Sequence, residues 1–283
     1  MTIKELLNQA VIMLKNENID APKTKARMLL QATLKKTREY LMIYDNKEVE
    51  NAQRDRYIKN VKRLIQGEPL QYITGIQEFM KLNFLVTKDV LIPRADTEIL
   101  VEEVIKIAEN IPNPVILDLC TGSGAIAVSL AKYIKNVHIC AVDISSKALE
   151  IAKRNAEFNG VKNNIEFIES NMFDKIKDKK FDIIVSNPPY IETETIKKLS
   201  KDVQNEPKIA LDGGKDGLNF YRNIIKNAYQ FLKYNGYLCL EIGFDQKIDV
   251  IELIENEEKY ENIYSKKDLY DNDRIIVTRL KLS

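Results

Sequence analysis

Asn187-Pro188-Pro189-Tyr190 follows an apolar run at residues 181–185, setting an amide, two carbonyls and an aromatic ring at the carboxyl end of a predicted buried strand. Open parallel sheets hold their ligands at that end. Asn187 precedes a proline, which drives its backbone out of the helical region, and neither Pro188 nor Pro189 carries an N–H for a ladder or a helix. The strand must stop there. The Asn187 side-chain oxygen and the Pro188 carbonyl can accept the two hydrogens of a planar NH2 group, with the Tyr190 ring against its flat face. An amide or adenine amino nitrogen is a weak nucleophile because its lone pair is conjugated. Two fixed acceptors that stabilise developing positive charge assist its attack on an electrophile. The chemistry indicated is alkyl transfer to nitrogen; the competing reading is a plain Pro-Pro turn after a strand.

A second stretch bears on the electrophile. Val115-Ile116-Leu117 leads into Asp118-Leu119-Cys120-Thr121-Gly122-Ser123-Gly124-Ala125-Ile126-Ala127, which predicts a strand, a glycine turn and a helix running toward Tyr133. Gly122 and Gly124 permit a tight turn and close approach of a ligand to backbone, and the helix start offers free N–H groups. A strand at residues 138–142 ends in Asp143, 19 positions beyond Gly124, with a carboxylate placed to accept from a ribose diol. By pattern alone this arrangement fits a dinucleotide about as well as S-adenosylmethionine. Asp118 tilts the choice: it would repel a pyrophosphate and can receive the ammonium of a methionine moiety. Together with the amine-holding motif it favours a methyl donor over a nicotinamide.

On these residues the chain resembles the HemK family of protein-(glutamine-N(5)) methyltransferases, which modify the glutamine of the Gly-Gly-Gln motif in peptide chain release factors. The matching stretches span nearly the whole chain: residues 67–75, 91–98, 118–127 and 186–190, Glu206-Pro207, and Asp271-Asn272-Asp273-Arg274. Asn-Pro-Pro-Tyr is shared with DNA amino-methyltransferases, so the stretches at 67–75 and 91–98 narrow the match. The resemblance implies S-adenosylmethionine as cofactor, held by Asp118, Cys120, Thr121, Gly122, Ser123, Gly124, Asp143, Met172 and Asn187. It implies that Asn187, Pro188, Pro189 and Tyr190 bind the glutamine, with Asn187, Pro188 and Tyr190 catalytic. Release factors are the implied partner. Three positions depart from the family pattern: Cys120 where glycine is usual, Met172 where an aromatic residue is common, and Ala95 for a common proline. A small residue and an adaptable apolar one should preserve binding.

Composition bounds the alternatives. The chain has 283 residues with 45% hydrophobic content, enough for two domains with sizeable cores. Its single histidine, His138, excludes a multi-histidine metal site, and no metal site is expected. The three cysteines lack metal spacing and read as free thiols, in keeping with the cytoplasm. No apolar signal core and no uninterrupted apolar stretch of membrane-spanning length is present, so neither export nor a membrane is indicated. An amino-methyltransferase acting on adenine in nucleic acid, or on a ribosomal-protein glutamine, remains the alternative. Residues 1–70 hold 14 Lys/Arg and 9 Asp/Glu, net +5, and the remainder holds 29 and 33, net −4. A net-negative catalytic half counts against stable nucleic-acid binding.

The elements that must position these residues follow from periodicity. Ile3, Leu6, Leu7, Ala10, Val11 and Leu14 fall at helical spacing, Pro22 opens a second helix toward Leu34, a third covers 37–44 and a fourth 52–65. Residues 67–87 predict a linker and a hairpin. Asp96 is expected to cap the next helix, with Glu98 in its first turn and Arg94 the residue of that segment with a functional share. A helix at 145–158 and a strand at 165–168 follow, then strands at 237–242, 262–265 and 275–280. Strands alternating with helices imply a parallel sheet closed by an antiparallel pair. The fold expected is α/β: a seven-stranded S-adenosylmethionine-dependent methyltransferase (Rossmann-like) domain at 96–283, a linker and β-hairpin at 71–95, and a small helical substrate-docking domain at 1–70. The polar stretch 192–215, too long for a minimal connection, reads as a substrate loop with a helix of its own from 195 to about 201.

Overall fold

A computed structural model of the chain describes residues 1–281, which divide into two compact units. The first comprises Met1–Ile76 with Ser200–Asn205, the second Gln77–Leu199 with the described residues from Glu206 onward.

In the first unit α1 (Ile3–Asn16), α2 (Pro22–Leu34), α3 (Arg38–Ile43), α4 (Asn51–Ile65) and the short α5 (Leu70–Thr74) enclose one apolar core. The start of α1 is a capping box, in which Thr2 Oγ1 accepts from Glu5 N at 3.2 Å and Glu5 Oε2 accepts from Thr2 N at 2.9 Å. Ile3, Leu6, Ala10 and Leu14 recur at helical spacing and are buried with Leu29 and Leu30 of α2 and Tyr57 and Val61 of α4. Burial of each such large side chain contributes about 1.5 to 3 kcal/mol. The α5 turn occupies a stretch that reads as linker. It is too short to show a period, and it is helical because Leu70 is buried in the same core. Residues Ser200–Asn205 belong here too, with Asn205 Nδ2 donating to the Gly67 carbonyl at 2.9 Å.

The second unit begins within a hairpin of β1 (Ile76–Phe79) and β2 (Leu82–Leu85). After α6 (Thr97–Ala108) come β3 (Val115–Leu119), α7 (Ala125–Tyr133), β4 (His138–Asp143), α8 (Ser146–Phe158), β5 (Ile165–Glu169) and β6 (Phe181–Ser186). A minor sheet pairs β7 (Ile191–Glu192) with β8 (Asp212–Gly214), and β9 (Leu232–Glu241), β10 (Tyr260–Lys267) and β11 (Asp273–Leu280) complete the chain. The main sheet has seven strands in the order β10-β11-β9-β6-β3-β4-β5, with β11 antiparallel to both β9 and β10 and the other pairings parallel.

Side chains alternate between its faces, as a pleat requires. Ile116, Ile139, Ile183, Val185 and Cys239 join Leu100 and Val104 of α6 and Val128 and Leu130 of α7 on one side. Leu117, Cys140, Ile184 and Leu238 join the helices Asn219–Ala228 and Lys247–Asn256 on the other. The expected α/β class with a seven-stranded sheet is thus the observed one. The strand expected at 237–242 starts earlier: β9 runs through Asn235-Gly236, and its register against β6 shifts between Phe181 and Ile183. The helix read at 195 to about 201 is two short ones, Thr193–Ile196 and Lys201–Gln204.

Candidate active site

Register assembles the site. Leu119 of β3 pairs with Val142 of β4 on one side and Ser186 of β6 on the other, so three parallel strands end at one level. The residues just beyond them are Cys120, Asp143 and Asn187. Ser186 Oγ donates to the Leu119 carbonyl at 2.7 Å, Thr121 N to the Val142 carbonyl at 2.9 Å, and Gly122 N to Asp143 Oδ2 at 2.8 Å. The other Asp143 oxygen accepts from Ser145 N at 2.9 Å. Each carboxylate oxygen keeps a lone pair for a further donor. Burial raises the Asp143 pKa above the usual carboxylate range, against the pull of these N–H groups.

Asp118 lies beneath the loop, fully buried. Its Oδ2 accepts from Thr121 Oγ1 at 2.6 Å and from Ala127 N at 3.2 Å, while Oδ1 is buried without a hydrogen-bond partner. Desolvation outweighs both bonds and pushes this carboxyl up to about 7. Gly124 is the position where only glycine fits: φ is +78°, and a Cβ would lie 3.0 Å from Ala152 Cβ and 3.2 Å from Ala152 Cα. Asn155, which helical periodicity marks only as a polar interruption of α8, fastens the loop. It is fully buried, donates to the carbonyls of Ser123 at 2.8 Å and Leu85 at 3.0 Å, and accepts from Leu85 N at 2.7 Å.

A crevice opens along these strand ends. Cys120, Gly122, Asp143, Met172, Asn187 and Pro189 line it together. Leu91, which opens the matching stretch 91–98, completes its apolar wall with Ile144, Ile209 and Phe220, which no motif marks. Asp118, Thr121, Ser123 and Gly124 stand behind the lining, where they shape the loop.

The Asn187 end is held by residues from distant parts of the chain. Asn187 Nδ2 donates to Thr97 Oγ1 at 3.1 Å. Pro188 and Pro189 are buried. The Tyr190 ring packs against the core on the second face of the sheet, outside the crevice lining, with its hydroxyl 3.4 Å from Glu241 Oε1. Burial raises its phenol pKa, and the Glu241 charge adds to the effect. The Tyr190 carbonyl accepts from Gln246 Nε2 at 2.9 Å. Two glycines close on its backbone: a Cβ on Gly213 would lie 2.8 Å from Tyr190 Cα, and one on Gly217 2.4 Å from the Tyr190 carbonyl oxygen. Glu241 is 1% exposed with Oε2 buried and unpartnered, and burial pushes its carboxyl up to about 7, although Thr97, the charge of Arg274 and the Tyr190 hydroxyl oppose the shift.

One expectation for the segment before α6 needs correction. Asp96 makes no side-chain capping bond; its Oδ2 sits 3.5 Å from Arg274 Nη2, which also pairs with Asp268 Oδ2 at 2.9 Å. A largely buried guanidinium drew the carboxylate away from the helix end. Glu98 stands in the first turn of α6 as expected, and its Oε1 accepts from Met80 N at 2.7 Å. Arg94 spends its guanidinium on the buried Glu206, 2.5 Å away, whose other oxygen accepts from Ile92 N at 3.0 Å.

An open, mainly parallel seven-stranded sheet with an antiparallel final pair and a glycine loop at its carboxyl edge defines the Rossmann-like methyltransferase class. The methyltransferase small domain family matches residues 95–215 and the PrmC N-terminal domain family residues 5–75. The release factor glutamine methyltransferase of Moorella thermoacetica is 39% identical over 274 residues, covering 97% of both chains. A bifunctional methyltransferase of Rickettsia typhi is 40% identical over 295 residues; these cover 97% of this chain and 57% of that protein, so the chain spans little more than half of it. The crystal structure of a methyltransferase from Pyrococcus furiosus shares the fold, with a TM-score of 0.52 at 18% identity over 82% of this chain and 98% of that one. The chain belongs to the release factor glutamine methyltransferase family. Among the described residues no helix is long and apolar enough to cross a membrane.

Proposed function

We propose that this chain transfers a methyl group from S-adenosylmethionine to the side-chain amide nitrogen of the glutamine in the Gly-Gly-Gln motif of peptide chain release factors, in the cytoplasm. The observation that carries the reading is the shared crevice of Asp143, Gly122 and Asn187, three strand ends brought level by register. The family's name supplies the substrate class.

The residues present fit the methyl donor. Asp143 keeps one acceptor lone pair on each oxygen for a diol. Met172 and Phe220 offer apolar surface to a flat heterocycle. The glycine loop lets backbone approach closely, and the unpartnered Asp118 Oδ1 supplies negative charge beneath it toward an ammonium. When bound, S-adenosylmethionine supplies an electrophilic methyl group on sulfur.

The rest is done by this chain. The Asn187 side-chain oxygen and the Pro188 carbonyl accept the two glutamine N–H bonds, holding the nitrogen still and stabilising the positive charge that grows on it. Tyr190 braces this corner from the core side, its backbone carbonyl and hydroxyl both engaged. The nitrogen gains a methyl group and afterwards sheds one proton, which needs no base beforehand because the methylated amide nitrogen is strongly acidic. We further propose that the basic helical unit docks acidic surface of the substrate.

Incubation with labelled methyl donor and release factor, followed by mass spectrometry of the Gly-Gly-Gln peptide, tests the reading. One added methylene mass on that glutamine is expected. Label found only on adenine of added nucleic acid, or on a ribosomal-protein glutamine, would replace it.

A further inference from the structure

We propose that Thr97 and Glu241 set the direction of the Asn187 carboxamide, so that its oxygen and not its NH2 faces the substrate nitrogen. The inference rests on the functional reading above and concerns positioning residues, since neither lines the crevice.

A carboxamide has two ends of nearly equal size and opposite hydrogen-bonding sense. If the NH2 end of Asn187 faced a substrate NH2, two donors would meet and the clamp would repel its target. Something must choose the end. The register of β6 on β9, with Ser186 opposite Leu240, puts the next residues, Asn187 and Glu241, side by side. Thr97, the first residue of α6, accepts from Asn187 Nδ2 at its hydroxyl oxygen at 3.1 Å, and it is the side chain that most favours the charged form of Glu241, whose Oε2 is buried without a hydrogen-bond partner and calls for a donor.

Direction then follows from counting protons. A threonine hydroxyl has one hydrogen and two lone pairs, and a carboxylate has only acceptors. With its hydrogen directed to Glu241, Thr97 offers Asn187 nothing but a lone pair, and only Nδ2 can use it. Oδ1 is turned the other way by elimination. Thr97 is 4% exposed and Glu241 1% exposed, so water does not compete freely at either group. The other groups facing Glu241 are the Tyr190 hydroxyl and Arg274, which favour its charge, and Asp96, which opposes it. Tyr221 donates to the Glu241 backbone carbonyl at 2.8 Å and holds the strand end in place.

The test compares Thr97→Val, which keeps the shape and removes the hydroxyl, with Thr97→Ser, which keeps the hydroxyl. Donor affinity by calorimetry and turnover on release factor are measured together with solvent exchange of the Asn187 side-chain NH2 protons by NMR, assigned by their loss in Asn187→Ala. Thr97→Val is expected to lower kcat roughly tenfold or more, with the donor Kd within about twofold of wild type. Its Asn187 NH2 should exchange rapidly. Thr97→Ser should recover kcat to within about threefold and restore slow exchange. Wild-type kcat and slow exchange in Thr97→Val would overturn the inference, as would equal losses in the valine and serine variants. If the wild-type chain leaves release factor unmethylated, the functional reading falls while the exchange measurement still decides which way the amide points.

Discussion

Cys120 Sγ and Met172 Sδ approach to 3.8 Å, and both residues hold a left-handed backbone, with φ of 61° and 48°. They are two of the positions at which this sequence departs from its family's pattern. A non-glycine residue in that region costs about 1 to 3 kcal/mol unless the surroundings enforce it. Cys120→Gly is therefore expected to leave stability unchanged or raise it by up to about 1 kcal/mol, whereas Cys120→Val should lose about 2 kcal/mol or more. Denaturant unfolding of both variants decides it. A stable valine variant beside a destabilised glycine variant would mean that packing, and not backbone strain, rules this position.

Asn187→Ala removes one of the two acceptors proposed to hold the substrate nitrogen and leaves the Asp143 corner intact. Turnover is expected to fall by a factor on the order of 100 or more, with donor binding much less affected. Single-turnover kinetics and calorimetry separate the two. Wild-type turnover in this variant would show that the side chain plays no part in transfer.

Gly213→Ala tests the brace behind Tyr190. The new methyl would meet the Tyr190 carbonyl carbon and Cα at 2.8 Å and the Gly217 carbonyl oxygen at 2.7 Å, all of them backbone atoms that cannot rotate away. Overpacking of this kind costs about 1 to 3 kcal/mol. Displacement of the motif should also lower kcat, by roughly tenfold or more for a shift of about 1 Å. Gly160→Ala is the control for a loss of stability without a clash, because its φ of +74° strains an alanine while its Cβ meets nothing within 4 Å. Similar kinetics in both variants would leave the brace without a catalytic consequence.

Glu241 links activity to pH. Burial pushes its carboxyl up to about 7 in the folded chain from an ordinary 4.5. The direction of the Thr97 hydroxyl is enforced only when Glu241 is ionised, so turnover should climb as pH rises through about 7, and Glu241→Gln should flatten that rise. Stability runs the other way. The folded pKa lies above the unfolded one, so this group's contribution is full below pH 4.5 and is lost as pH rises through about 7. Melting curves at acid and alkaline pH should therefore show the glutamine variant gaining on wild type at the alkaline end. Asp118, also raised to about 7, contributes to both proteins and cancels in the difference. A wild-type rate profile identical to that of Glu241→Gln would remove Glu241 from the relay.

Much of this molecule was legible before any coordinates. Helical spacing in residues 3–14 and the proline at 22 marked α1 and α2 because apolar periodicity and capping are local properties. The strand ending at Ser186 was readable because two prolines forbid its continuation. Elements whose cause lies elsewhere in the chain were not readable. Leu70–Thr74 is helical through burial, and β9 runs through Asn235-Gly236 because β6 and β11 flank it.

The same division holds at the site. Residue types and spacing marked an α/β chain with its glycine loop, Asp143 and the Asn187–Tyr190 stretch, since each of these announces itself within a few consecutive positions, and the family resemblance of those stretches added the methyltransferase. Only the tertiary structure decided that Asp96 serves Arg274 instead of a helix end, that Asn155 fastens the loop, and that Thr97 and Glu241 meet Asn187. Those partners are separated from one another by tens of residues in the chain. Sheet register and burial selected them, and neither leaves a local pattern from which the pairing can be read.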